Sequence, residues 1–205
     1  MEKIVYVTGN YGKYISVKEK FEQENIEIDF YNYDFQEPNI NDIEFVSKSK
    51  AIEIYNILKK PCFVADTGFY INDYPEMPGY PGAFVKRSGV STDIDSLLEK
   101  LKDTKNRSCY FLDCLTFYDG INFYVFYGKS EGDLSYTQKG EYTKKSKSKL
   151  WHIFIPKGQN KTLAQMNDEE RNSLNKHHTS ATIEFINWYK NVYLKPKQMK
   201  VYTKK

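Results

Sequence analysis

Phe63-Val64-Ala65-Asp66-Thr67-Gly68, followed by Pro78-Gly79 and Pro81-Gly82, is the stretch on which the fold of this chain turns. An apolar run ending in Asp-Thr-Gly reads as a short buried strand that delivers one carboxylate to a turn. Asp66 then stands at the strand's C-terminal edge, where ligands of α/β folds collect. The two Pro-Gly pairs punctuate a loop, and the loop brings in Lys86 and Arg87. A carboxylate facing two cations across such a loop suits a metal held beside a phosphate. Asp is equally at home as a turn residue or helix cap, so the stretch alone leaves both readings open.

On its N-terminal side, Lys3-Ile4-Val5-Tyr6-Val7 is a β-branched and aromatic run, read as a buried strand. Thr8-Gly9-Asn10 turns the chain, and Tyr14, Val17 and Phe21 then mark the apolar face of a helix. A helix start offers free N–H groups and a positive dipole end, both suited to phosphate. Lys13 in that first turn opposes the dipole, a cost that hints at an anion, although strand-turn-helix junctions are also common architecture. Ile26 to Tyr33 alternates as a second strand, and Glu37 falls in the loop behind it. Asp42 caps a helix to about Leu58, with Phe45, Val46, Ile52 and Tyr55 among its apolar contacts. Lys48 and Lys50 ride this helix, where solvated charge is the ordinary explanation.

On the C-terminal side, Ile94, Leu97, Leu98 and Leu101 stripe a helix capped by Thr92 or Asp93. Residues 108–118 and 121–127 read as strands joined at Asp119-Gly120, with Gly128 to Leu134 continuing into a further strand. Residues 139–149 are lysine-rich without apolar periodicity and read as a mobile, solubilising loop. Leu150 to Ile155 is apolar again and ends at Pro156-Lys157-Gly158. Asn167 or Asp168 caps a final helix that carries Arg171, His177 and His178 before Ile183, Ile186, Trp188 and Tyr189. Strands and helices interleave without regular βαβ repetition. The expected fold is α/β, a mixed curved sheet flanked by helices, in two lobes with a ligand cleft between them. Residues 1–194 form a single domain in this reading, and 195–205 a frayed basic tail.

Bulk composition narrows the function. The 205 residues suffice for one domain with a real core, and 18 Tyr and 13 Phe offset a hydrophobic content of only 40%. A net charge of +3 argues against non-specific nucleic-acid binding and permits a local cationic site for a small anion. Cys62, Cys109 and Cys114 form no CxxC pair, which points to a reduced compartment rather than disulfides or zinc. No apolar run approaches the roughly 18 residues of a membrane span, and the N-terminus lacks a signal-peptide layout. The cytoplasm is the expected location.

Four separated stretches together resemble the inosine triphosphate pyrophosphatase family. Val7-Thr8-Gly9-Asn10-Tyr11-Gly12-Lys13 is similar to its TGNxxK signature. Val64-Ala65-Asp66-Thr67-Gly68, with Pro81-Gly82 downstream, is similar to its D-[ST]-G and PG elements. Phe154-Ile155-Pro156-Lys157-Gly158, with Thr162, Ala164 and Met166 behind it, resembles F-x-P-x-G…T-x-A-E-M. Glu170-Arg171-Asn172 followed by His177-His178 resembles E-K-N…S-H-R. The resemblance spans nearly the whole chain and implies a mixed-sheet α/β homodimer. Its implied activity is cleavage of a nucleoside triphosphate to monophosphate and pyrophosphate, dependent on Mg²⁺ or Mn²⁺, with modified purines such as ITP, dITP or XTP as substrates. Carried over, Thr8, Gly9, Asn10 and Lys13 hold the polyphosphate. Glu37 and Asp66 share the metal, and Asp66 also accepts the proton of the attacking water. Thr67, Lys50 and Arg171 touch phosphate, Lys86 adds a further substrate contact, and Trp151, His177 and His178 enclose the base.

The departures fall at one end of the site. Ala65 stands where the family often has a second acid. Leu150-Trp151-His152-Ile153 stands where G-[YW]-D-P would bring a base-reading Asp, and Gln165 replaces the Glu of A-E-M. The His-Arg pair has become His177-His178, with an extra residue before it. The phosphate and metal end is kept while the base-reading end is rebuilt. The alternative is a nucleotide-binding or regulatory protein of the same fold that has lost catalysis. A third reading, RNA or DNA binding through the lysines of 139–149 and the tail, lacks interleaved aromatics.

Overall fold

The structure, a computed structural model, describes residues 3–36, 38–143, 146, 148–174 and 180–195. A seven-stranded mixed sheet carries the fold, in the order β2-β1-β3-β5-β6-β7 with β4 beside β3. β1 (Ile4–Val7) pairs in parallel with β2 (Ile28–Tyr31) on one side and β3 (Cys62–Ile71) on the other. β5 (Ser108–Tyr118), β6 (Phe123–Leu134) and β7 (Phe154–Pro156) add antiparallel strands, and the short β4 (Pro81–Gly82) pairs with the far end of β3.

Both faces of the parallel part are covered, which is why β1 is buried throughout. On one face Tyr6, Phe63, Leu115 and Phe117 meet α1 (Tyr11–Gln23) and α5 (Ala181–Trp188) through Val17, Phe21, Phe185 and Ile186. On the other, Val5, Val7, Cys62 and Val64 meet α2 (Ile43–Leu58) through Ala51 and Ile54. A separate core forms at the far ends of the long strands. There Phe69, Ile71, Cys109, Leu134 and Phe154 pack with Ile94, Leu97 and Leu101 of α3 (Ile94–Lys100) and the residue after it. Two lobes therefore share β3, β5 and β6, as the interleaved sequence pattern led one to expect.

Several local readings are corrected. β3 does not stop at Asp-Thr-Gly; β5 pairs with it from Cys62↔Tyr118 to Ile71↔Cys109, so Asp66 lies in mid-strand. On the opposite edge β1 reaches only Val64 and β4 only Phe69 and Tyr70, so no described strand pairs with residues 65–68 there. Asp66 thus sits two residues beyond the end of the parallel ladder, even though its own strand runs on. In the hairpin, Asp119 Oδ1 accepts from the backbone N–H of Ile121 and Asn122 at 2.8 and 2.7 Å, closing a longer connection than a two-residue turn. β6 then continues unbroken to Leu134 because β5 templates it as far as Ser108↔Asp133.

The final helix is two elements, α4 (Asp168–Ser173), capped by Asn167, and α5, which restarts after Ser180 in extended conformation. His177 and His178 lie between them, outside the described residues. Lys139, which opens the lysine-rich stretch, is tied down: its N–H donates to His152 O at 2.9 Å and its carbonyl accepts from Thr162 Oγ1 at 3.2 Å. Lys144, Lys145, Lys147 and the tail from residue 196 lie outside the described residues. The three cysteines are buried free thiols, and no described helix is long and apolar enough to cross a membrane.

Candidate active site

The turn after β1 is organised by its own side chains. Buried Thr8 accepts the Asn10 N–H at 3.1 Å, and Asn10 Oδ1 accepts the Lys13 N–H at 3.0 Å as the N-cap of α1. Lys13 leaves the first helical turn and its ammonium donates to Ala65 O at 3.3 Å. It therefore reaches the part of β3 that no described strand covers, beside Asp66.

Side chains alternate along β3, so Asp66 shares a face with Cys62 and Val64 and points toward α2. Lys50 meets it there in an ion pair with Asp66 Oδ1, the two side chains being 7% and 14% exposed. The Lys50 ammonium also lies 5.4 Å from the centroid of Phe35. Solvated charge is thus the wrong reading of Lys50. The buried stripe of α2 is Ile43, Val46, Ser47, Lys50, Ala51 and Ile54, whereas Phe45 and Ile52 are exposed. Counting apolar residues picked the wrong face because two positions of the real one are polar and satisfied. Ser47 Oγ donates to Thr116 Oγ1 at 2.8 Å, and Lys50 holds Asp66.

The second carboxylate oxygen, Asp66 Oδ2, is buried with no hydrogen-bond partner among the described residues. A buried anionic oxygen without a donor is costly, and in a native protein it is normally met by a cation, a water or a ligand. Carboxylate oxygens are what hard divalent cations select, so Asp66 fits one end of a metal site. No cluster of three or more His, Cys, Asp or Glu side chains occurs among the described residues. Glu37, the expected second carboxylate, lies outside them.

Two loops are laced together beside this group. Asn41 Oδ1 accepts the Ala83 N–H at 2.7 Å, and Arg87 Nη1 donates to Asn39 Oδ1 at 2.9 Å. Lys86 faces Asp34 at 3.5 Å in an exposed pair. Gly82 adopts φ 62°, and a Cβ there would fall 2.4 Å from Asn41 Oδ1, so this close approach needs glycine. Lys86 and Arg87 therefore engage the 34–39 loop.

Thr67 projects to the opposite face from Asp66, where Thr67 Oγ1 donates to Asp113 Oδ1 at 2.6 Å across the β3–β5 ladder. Lys20 of α1 lies on that side, its ammonium donating to Ser180 Oγ at 3.1 Å. Burial lowers its pKa and the Asp113 carboxylate opposes the shift. Sequence reasoning missed Asp113 and Lys20, although an acid within the apolar run 109–117 was a usable signal. Arg171 and Trp151 form a separate pair, guanidinium over indole at 5.4 Å. Arg171 also donates to Leu163 O at 3.1 Å and to Met166 O, and it pairs with Asp168. Its donors are largely committed to the approach to α4, and none of these partners belongs to the Asp66 group.

The chain is similar to known proteins in sequence and in fold. Residues 4–188 match the model of the Ham1 family. The chain is 34% identical over 170 residues to a dITP/XTP pyrophosphatase of Saccharolobus solfataricus, covering 83% of this chain and 85% of that one. It is 27% identical over 188 residues to a dITP/XTP pyrophosphatase of Thermococcus kodakarensis, covering 92% and 97%. Among solved structures, a HAM1 protein from Coxiella burnetii shares the fold with a TM-score of 0.73 at 20% identity, over 94% of this chain and 98% of that one.

Proposed function

This chain belongs to the Ham1 family, and from that membership we propose that it is a nucleoside triphosphate pyrophosphohydrolase acting on dITP, ITP and XTP. The single feature that carries the proposal is Asp66, one oxygen paired with buried Lys50 and the other buried without a donor among the described residues. Asp66 and Glu37 would hold a divalent ion, Mg²⁺ or Mn²⁺. Such an ion neutralises phosphate charge and polarises the scissile phosphorus.

The chain's own groups account for the rest. Lys13, at the open edge of β3, and the backbone N–H groups that start α1 bind the polyphosphate as point charge and dipole. Lys50 holds Oδ1 and so aims the Asp66 carboxylate. Asp66 then takes the proton of the attacking water. Oxygen adds to phosphorus, the anhydride bond breaks, and the pair of electrons leaves with pyrophosphate. Residues 1–194 act as one unit in this reading, and the rebuilt segment around Trp151 sets how tolerant the base pocket is.

The test is a panel of NTPs and dNTPs incubated with Mg²⁺ and assayed for pyrophosphate, with wild type and Asp66→Asn side by side. Wild type should release pyrophosphate from deaminated purines first. Asp66→Asn should lose on the order of 10²–10⁴-fold in turnover while still binding nucleotide, the span of a general-base contribution. Release from no nucleotide by folded wild type would refute the activity. Tight binding without turnover would favour the impaired, regulatory alternative.

A further inference from the structure

Counting by twos along β3 from Asp66, the residues on its face are Gly68 and then Tyr70. Tyr70 pairs in register with Tyr110 of β5, and the two rings stack at 4.8 Å and 3°. Lys129 of β6 lies over Tyr110, 4.5 Å from its centroid. The Tyr70 ring leans back along its strand. A Cβ built on Gly68 would fall 2.7 Å from Tyr70 Cε2 and 3.1 Å from its hydroxyl oxygen. The phenol oxygen therefore sits over the residue that separates Tyr70 from Asp66 on this face. Two residues of strand are about 7 Å. Gly82 O of the Pro/Gly loop lies 3.1 Å from the same Cβ position, so the hydroxyl is also beside the loop that borders the site.

Tyr70 is half-buried, and its hydroxyl makes no hydrogen bond with any described residue. Burial, with Tyr110 and the Asp42 carboxylate nearby, raises its pKa, so the group is a protonated donor at neutral pH. The stack on Tyr110 fixes the ring and leaves the O–H without a structural task. A donor with no protein acceptor, one step along the strand face from the buried carboxylate, suits an anionic ligand.

We propose that Tyr70 contacts the substrate, donating its hydroxyl proton in a hydrogen bond to a non-bridging oxygen of the polyphosphate bound at Asp66. The proposal rests on the pyrophosphohydrolase reading and adds a residue that the family motifs do not contain. Gly68 is part of the device, since any side chain there would lift the phenol away from Asp66.

The test compares wild type, Tyr70→Phe and Tyr110→Phe in steady-state hydrolysis of dITP with Mg²⁺, with inorganic pyrophosphate as inhibitor and thermal midpoints recorded. Tyr70→Phe should keep its midpoint, because the ring stack survives. It should lose roughly ten- to a hundredfold in kcat/KM, the span of a hydrogen bond to a charged group, and pyrophosphate should inhibit it more weakly. Tyr110→Phe should match wild type. Values for Tyr70→Phe within about twofold of wild type would overturn the proposal, as would an equal loss in Tyr110→Phe. If wild type itself releases no pyrophosphate, the activity fails separately. Tyr70 is then judged on dITP affinity, which an unchanged Tyr70→Phe would decide against.

Discussion

Replacing Lys50 by methionine keeps the length and apolar stem of the side chain and removes its charge. In the native protein that charge lies against Asp66 Oδ1, with the two side chains 7% and 14% exposed. An exposed pair would be worth at most about 1 kcal/mol. A buried pair behaves differently: deleting one partner strands the other charge and costs about 3–5 kcal/mol. The contact between the ammonium and Phe35 is lost as well. For a chain of this size each kcal/mol moves the melting midpoint by about 2–4 °C, so Lys50→Met should melt about 6–20 °C below wild type.

Urea unfolding followed by circular dichroism, in metal-free buffer, measures the loss directly, with an unchanged m-value as the sign that only stability moved. The companion is Lys50→Met with Asp66→Asn. It removes the stranded anion and should recover part of the loss, giving a coupling energy in the double-mutant cycle. Lys50→Met within about 1 kcal/mol of wild type would refute the reasoning. The pair would then be solvent-screened, Asp66 Oδ2 would not be dry, and the case for a cation beside it would fall.

Two further outcomes follow from the ionisable groups. Lys129 and Lys157 each lie 2.9 Å from Glu131 and hold its carboxyl down at about 2, from an ordinary 4.5. A carboxyl depressed in the folded state adds stability above its unfolded pKa and loses it as pH falls toward the folded value. Glu131→Gln should therefore lower the unfolding midpoint at pH 6 and converge on wild type near pH 2. Molar salt should shrink the gap, because the group is half-exposed. Wild-type and variant profiles that run parallel through that window would contradict it. Burial pushes the Cys62 and Cys114 thiols up to about 12 and Cys109 higher still. A thiol reagent at pH 8 should label none of the three in the native protein and all of them in urea. Fast native labelling would show that the core opens.

What the sequence made legible is what neighbours along the chain decide. The Asp42 cap, the run Ile4–Val7, and the α1 face carrying Val17 and Phe21 all depend on residues within a turn or two of each other, and all stand as read. The Asp119-Gly120 hairpin was readable for the same reason, though not its length, because β5 rather than the turn dictates how far β6 runs. Asp66 was picked out correctly and placed in the wrong context. Whether a strand ends at Asp-Thr-Gly depends on its partners, and β5, some fifty residues away, continues the ladder past it.

Lys50 shows why the chemistry of the site was the hardest part to read. A helix that buries polar side chains looks amphipathic on the wrong side, because apolar counting assumes that buried means apolar. Ser47 and Lys50 are buried only because Thr116 and Asp66, on two different strands, satisfy them. The same holds for Tyr70, an ordinary strand tyrosine by sequence, whose hydroxyl lies over Gly68, the next residue on that face toward Asp66, only because glycine lets the ring lie down. Active-site groups break local rules when a distant residue compensates for the breach, and single-sequence periodicity cannot see that compensation. The motifs escaped this limit because each is a short run of consecutive residues, so their signal is local even where the site is not.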